Sequence, residues 1–308
     1  MYFSKKNKFF HGITFHHFHD NKKHKISQGS ITGNDFYKII KFIGKKNILN
    51  SYDFLEKFKK NKLKKTDLCL TFDDSLKCQY DIALPVLEDL KIKAFFFIYT
   101  GAVEKTPDHL EIFRYFRTNQ YSNIDGFYFD FFNLFERKYK KFNLEKFYKI
   151  VNPKINILKK KYPFYSLNDI KFRLLRDEGL KYEKYKKIMF ELFKIKKFNI
   201  KKNIKNIFLT KKNIQKINKL NHLIGLHSHS HPTMLSELNY KNQFIEYSKN
   251  KKKLEKIIGK NKIFSMSHPC GSYNKYTFSI LKKLDIQIGF TASMIGKKIN
   301  KSTNSKFE

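Results

Sequence analysis

Residues 67–75 read Asp67-Leu68-Cys69-Leu70-Thr71-Phe72-Asp73-Asp74-Ser75, an apolar run that ends in two adjacent carboxylates. A short apolar run bounded by polar residues is the pattern of a buried strand, and strands of parallel α/β sheets end where such folds place their chemistry. Asp73 and Asp74 are therefore expected at a strand mouth. Neighbouring side chains of a regular strand point to opposite faces, so both carboxylates can serve one site only where the chain is already turning off the strand. Residues 76–90 read as the helix start that supplies this turn, and Ile92-Lys93-Ala94-Phe95-Phe96-Phe97-Ile98-Tyr99 reads as the next strand of a βαβ unit.

About 150 residues further on comes Leu223-Ile224-Gly225-Leu226-His227-Ser228-His229-Ser230-His231-Pro232. Three imidazoles in five residues after an apolar strand, with a carboxylate at another strand mouth, fit a divalent-metal site. One Asp and two His leave coordination positions open for water, as a hydrolytic metal needs. A helical turn would bring His227 and His231 together, whereas an extended segment would put His227, His229 and His231 on one face. Spacing alone leaves His229 open as a ligand.

The flanks alternate strand and helix. Gly12 to Phe18 reads as a first strand with His16, His17, His19 and Asp20 at its end. Ser30 to Gly44 and Ser51 to Lys65 read as helices, with Gly44 a C-cap. Asn206 to Thr210 reads as a strand plus the N-cap of a helix ending near Leu220. Lys241 to Ile258 is an amphipathic helix stopped by Gly259. Lys262 to Ser267, Tyr276 to Leu284 and Ile286 to Thr291 then read as strand, helix and strand. Such alternation predicts a parallel sheet. Between them, residues 104–205 are rich in Phe, Tyr and Lys, with helical stretches at Leu110–Phe116, Phe142–Ile150 and Tyr182–Lys194. They read as a helical insertion within a single domain spanning 1–308, their aromatic stripes forming a local core.

Thr71-Phe72-Asp73-Asp74-Ser75 resembles the Thr-Phe-Asp-Asp-Gly signature of the polysaccharide deacetylases, the NodB-homology group of carbohydrate esterase family 4. His227-x-x-x-His231-Pro232 resembles the group's His-x-x-x-His-Pro signature, in the same order and at a similar separation. Ser267-His268-Pro269-Cys270-Gly271-Ser272-Tyr273 is similar to its Pro-Tyr-Gly-Ser-Tyr-like loop, and Phe15-His16-His17 to the Tyr-His of its first strand. The resemblance covers residues 11–103 and 205–294. It implies an α/β fold, a distorted (β/α) barrel of about seven parallel strands, and a hydrolase that removes an acetyl group from an N-acetylated or O-acetylated carbohydrate in cell-surface glycan metabolism. It also implies site residues: Asp74, His227 and His231 on a divalent metal ion, zinc first, and Asp73 as the base that activates water. The backbone N–H of Cys270 would hold the oxyanion, and His229 would be a flanking solvated residue.

Three departures matter. Ser75 replaces Gly, Ser267 stands where many members carry an Arg that orients the base, and no His follows His268 to serve as the group's late general acid. His16 and His268 are the candidates for that acid or for a substrate contact, with His17 next. The missing late His keeps open a catalytically inactive relative that binds metal or carbohydrate.

Composition narrows the partners. The 308 residues carry a formal net charge of +37, yet only five of the 64 basic residues are Arg. Specific phosphate recognition favours the Arg fork, so scattered Lys reads as a solvated basic surface and no specific nucleic-acid partner is expected. The expected partner is an acetylated sugar or glycan precursor. Three cysteines (Cys69, Cys78, Cys270) make no disulfide framework and read as reduced thiols. Behind the basic lead Met1 to Phe10 there is no apolar signal segment, and no run approaches the roughly 18 apolar residues of a transmembrane span. A cytoplasmic protein acting on a precursor before export is expected. Lys301 to Glu308 is an abrupt polar ending.

Overall fold

Six parallel strands pair in chain order: β1 (Gly12–Phe15), β2 (Cys69–Phe72), β3 (Phe95–Ile98), β4 (Leu223–Leu226), β5 (Ser265–Ser267) and β6 (Ile288–Phe290). The computed structural model describes residues 12–163 and 165–291, so the runs Met1 to Phe10 and Lys301 to Glu308 lie outside the described residues. Strands β2, β3 and β4 are buried at every position, as expected of parallel strands covered on both faces. The result is a distorted (β/α) barrel with six strands among the described residues, against the seven or so expected. Among the described residues it is not hydrogen-bonded shut: β1 and β6 are the ends of the strand order. The Phe290 ring lies across that side, 3.2 Å from where a Cβ on Gly12 would sit.

Alternate residues along each strand serve two cores. On one face Cys69, Phe95, Phe97, Leu223 and Ile288 cluster with Phe54 and Leu55 of the helix Ser51–Lys59. On the other, Phe72 stacks on Phe96 at 4.7 Å, and Phe15, Phe18 and Phe36 close around Phe72. Phe36 comes from the helix Gly33–Ile43, which Thr32 and Asp35 cap reciprocally and Gly44 ends at φ +85°. The helix Ser51–Lys59 stops short of the Lys65 expected, because Asn61 turns the chain at φ +51°.

One expected strand is absent. Residues up to Ile207 belong to the helix Ile200–Ile207, and Phe208 forms only an isolated antiparallel bridge with Leu76. The apolar run Ile207-Phe208-Leu209 is buried because it ends a helix against the barrel wall, which apolar character alone does not distinguish from a strand. Thr210 does cap the next helix, Lys211–Lys219, with its side chain accepting from Asn213 N–H.

By internal contacts, residues Leu110–Asn203 form one compact unit and the rest of the described chain the other. Among the described residues every regular element of the Leu110–Asn203 unit is a helix, and the unit carries its own aromatic core, in which Phe113, Phe116, Phe127, Phe131, Phe172, Tyr185 and Phe193 are buried. All five arginines fall in it. Arg117 lies over Phe127 and Phe172, Arg173 lies over Tyr165 and pairs with Asp169, and Arg176 lies over Phe172. No helix among the described residues is long and apolar enough to cross a membrane.

A buried histidine immediately before β4 makes stability pH-dependent. His222 is 0 % exposed; its Nδ1 accepts from Ala94 N–H at 3.0 Å, and its Nε2 lies 2.9 Å from Glu88 Oε1. Desolvation, outweighing the Glu88 carboxylate, pushes its pKa down to about 4. An unfolded chain takes up this proton near pH ~6.5, so the unfolded state binds more protons between the two values. Stability from this group is therefore complete above about pH 6.5 and drains as pH falls toward 4, by roughly 3 kcal/mol in all. In His222→Asn, which keeps an acceptor for Ala94 N–H, urea unfolding should lose much of its slope between pH 4 and 6.5. An unchanged slope would rule His222 out as its source.

Candidate active site

Parallel register collects the reactive side chains at one rim. Phe15 pairs with Phe72, Ile98 with Leu226, and Leu226 with Met266, so the residues that follow β1, β2 and β4 emerge together beside the end of β5. These are His16, Asp73 and His227, with Ser267 closing β5. The chain turns off β2 through two consecutive left-handed residues, Asp74 at φ +71° and Ser75 at φ +59°. That turn lets two adjacent carboxylates reach one mouth. The Ser75 hydroxyl accepts from Tyr99 N–H at 3.0 Å and is fully buried, so it fixes the turn to β3 and does not narrow the mouth.

Asp74 Oδ1 lies 3.2 Å from His227 Nε2 and 3.2 Å from His231 Nε2, and Asp74 Oδ2 lies 3.7 Å from His16 Nε2. Asp74, His227 and His231 each offer a donor atom within 4.8 Å of the others. Neither a helical turn nor an extended strand brings the two histidines together. The chain loops through left-handed Ser228 and His231, at φ +62° and +58°, and Ser228 Oγ accepts from His231 N–H at 3.1 Å. The helix Tyr240–Ile258 holds that loop from behind. Its Glu246 carboxylate accepts from His229 N–H, Ser230 N–H and Ser230 Oγ at 2.8–2.9 Å, and its Asn250 accepts from His227 N–H at 3.1 Å.

The electrostatics suit a cation. Burial alone would raise the Asp74 pKa, but hydrogen bonds to His227 and His231 and the charge of His16 hold it well below the usual carboxylate range. Burial would lower His231, and contacts with Asp108 and Asp74 instead hold it well above the ordinary histidine value. His227 Nδ1 lies 2.8 Å from the Ser267 carbonyl oxygen and donates to it, which fixes the ring with Nε2 facing Asp74 and leaves Nε2 as the nitrogen that could ligate a cation. One carboxylate oxygen and two imidazole nitrogens converging with open positions fit a divalent transition-metal ion.

Asp73 lies beside this cluster and is only 3 % exposed. Its Oδ2 accepts from Ser267 Oγ at 2.9 Å, while its Oδ1 is buried with no hydrogen bond among the described residues. Ser267 thus holds Asp73 directly, at the position that the resemblance associates with an Arg. The Asp73 carbonyl accepts from Gln79 Nε2 at 2.6 Å, and the same amide donates to His16 O at 3.0 Å, tying the ends of β1 and β2 together. Gln79 opens a π-helical turn, Gln79–Ala83, where Pro85 cannot donate to Asp81 O and the helix widens.

The other residues singled out by sequence are placed differently. His229 is not solvated: it is 8 % exposed, its Nδ1 lies 2.8 Å from Thr100 Oγ1, and desolvation lowers its pKa. The left-handed Ser228 turns it away from the cluster into the space behind β3. His268 is 1 % exposed, its ring stacked on Tyr273 at 4.4 Å and edge-on to Phe278. His16 is 37 % exposed at the rim, with His17 stacked beside it at 6.1 Å. Cys270 occupies a tight turn at φ +51° in which Gly271 N–H and Ser272 N–H bond back to His268 O and Pro269 O. Desolvation, opposed by His231, pushes its thiol pKa up, which disfavours a thiolate. None of Cys69, Cys78 and Cys270 is in a disulfide. Asp108, Gln79 and Glu246 escaped the sequence reading, because single polar residues in a connector or on a helix carry no periodic signal.

The chain matches the family model described as polysaccharide deacetylase over residues 60–115 and 168–289. Among solved structures it is similar to the Streptococcus pyogenes deacetylase PplD in complex with acetate, at 15 % identity and TM-score 0.51, covering 91 % of this chain and 82 % of that one. It is also similar to IcaB from Ammonifex degensii, at 13 % identity and TM-score 0.51, covering 90 % of this chain and 81 % of that one. At these identities the likeness shows the fold. No curated protein matches.

Proposed function

The chain is a member of the polysaccharide deacetylase family, and on that premise we propose that it hydrolyses an acetyl group from an N-acetylated or O-acetylated carbohydrate of a cell-surface glycan or its precursor, with a divalent cation, zinc first, held by Asp74, His227 and His231. The observation that carries this reading is the bare, buried Oδ1 of Asp73 beside three converging metal donors. When bound there, the cation supplies a Lewis acid for the acetyl carbonyl and lowers the pKa of water. Asp73 Oδ1 accepts the proton of the attacking water, and the Ser267 hydroxyl keeps the carboxylate aimed. The Cys270 amide, among the described residues the one amide of its turn not tied back into it, donates to the developing oxyanion. His16, exposed at the rim, delivers a proton to the departing amine or alcohol; His268, packed into an aromatic stack, is poorly placed for that step.

Zinc-loaded protein should release acetate from N-acetylated oligosaccharides, and chelation should stop it. Tight metal binding with no acetate from a broad panel of acetylated glycans would instead favour a relative that binds without turnover. In Ser267→Ala, Asp73 Oδ2 loses its donor. A fall in kcat of about tenfold is expected, since a hydrogen bond to a charged group contributes roughly 1.5–3 kcal/mol, only part of it specific to the transition state. KM and zinc affinity should stay near those of the parent; a fall in zinc affinity as large as that in kcat would mean that Ser267 serves the metal and not the base.

A further inference from the structure

We infer that Asp108 is a positioning residue for the cation, orienting His231 from behind, an assignment that rests on the metal site proposed above. The two histidines of the cluster are held differently. His227 follows a strand and has its Nδ1 fixed by the Ser267 carbonyl. His231 sits on a loop, with Asp108 Oδ2 3.2 Å from its Nδ1, an ion-pair contact whose alignment falls short of a full hydrogen bond. Nε2 of the same ring faces Asp74. A carboxylate behind a ligating imidazole keeps the proton on the far nitrogen, fixes the ring plane and raises the basicity of the near nitrogen. The Tyr99 ring, 5.1 Å from the His231 ring, restricts its tilt.

The placement of Asp108 is built into the fold. Asp108 lies on the connector between the short helix Thr100–Val103 and the helix Leu110–Gln120. The short helix docks on the histidine loop through Gly101, whose N–H donates to His229 O at 2.7 Å, and the connector is tied to it by Thr106 N–H, which donates to Gly101 O at 2.9 Å. A Cβ on Gly101 would stand 2.8 Å from His229 O and 2.9 Å from Thr106 O, so only glycine allows the approach. The docking carries Asp108, two residues beyond Thr106, to His231, where its side chain is only 15 % exposed.

The test is the affinity for zinc and for cobalt(II), measured by chelator competition on the full chain, with the melting temperature of the metal-free protein alongside. Asp108→Ala should bind roughly 10- to 100-fold more weakly, as removal of partners behind metal ligands generally does. Asp108→Asn, which keeps an acceptor and loses the charge, should fall between Ala and parent, and its near-identical size guards against a folding failure in the Ala variant. A purely structural role would lower the melting temperature and leave affinity unchanged. Affinities of both variants within about twofold of a tight-binding parent would overturn the assignment of Asp108 alone. A parent that binds neither ion would overturn the metal site and the assignment with it.

Discussion

Asp73→Asn is expected to bind zinc as the parent does and to release acetate about a hundred- to ten-thousand-fold more slowly, the range that a positioned general base contributes. The two adjacent carboxylates have separate surroundings. Asp74 offers an oxygen 3.2 Å from both imidazole Nε2 atoms, whereas Asp73 is held by Ser267 and keeps a buried oxygen without a donor. An Asn amide fills the same volume and still meets Ser267, so neither fold nor metal donors should be disturbed. It cannot take a proton from water. Zinc titration and a burst-free acetate assay on the same preparation separate the two roles. Turnover near that of the parent would remove Asp73 as the base, and loss of zinc would make it a ligand.

Gly225→Ala should destabilise the barrel by about 3 kcal/mol or more, at or beyond the upper end of the usual cost of overpacking a core. In the β3–β4 register Phe97 pairs with Gly225. A Cβ there would lie 2.5 and 2.6 Å from two carbons of the Phe97 ring and 2.7 Å from Ser265 Oγ. The ring has nowhere to retreat, because Phe95 stacks beside it at 6.0 Å and Phe290 packs on it at 5.3 Å. Since Gly225 lies two residues before His227, strain there should also weaken zinc binding. Urea unfolding gives the free energy, and adding Phe97→Leu should restore part of it, since two residues in contact are coupled. A loss below about 0.5 kcal/mol for Gly225→Ala would show that the interior tolerates the methyl group, contrary to close packing.

What the order of amino acids determined by itself is the strand-and-helix alternation and the meeting of Asp74 with the histidine segment 227–231, the choice of His227 and His231 within it being implied by the family resemblance. Strands buried on both faces are largely apolar, as β3 and β4 are and β2 is apart from Thr71, whose hydroxyl donates to Thr14 Oγ1, and in a parallel sheet their ends lie at one rim, so residues that follow them meet however far apart they are in sequence. The capping of the helices is local chemistry and was equally legible, at Thr210, Gly44 and Gly259.

Only the tertiary structure decided what depends on backbone direction and on partners from distant segments. By spacing, His229 was as good a ligand as its neighbours until left-handed Ser228 turned it toward Thr100. His268 follows Ser267 directly, yet packs into the Tyr273 stack while Ser267 reaches Asp73. Ile207-Phe208-Leu209 had the apolar character of a strand and became a helix end, because only a sheet edge in reach makes such a run a strand. Asp108 and Gln79 gained their places at the site through contacts with residues 123 and 6 positions away, His231 and Asp73. Such contacts are set by how the chain closes in space, and no periodicity or composition records them.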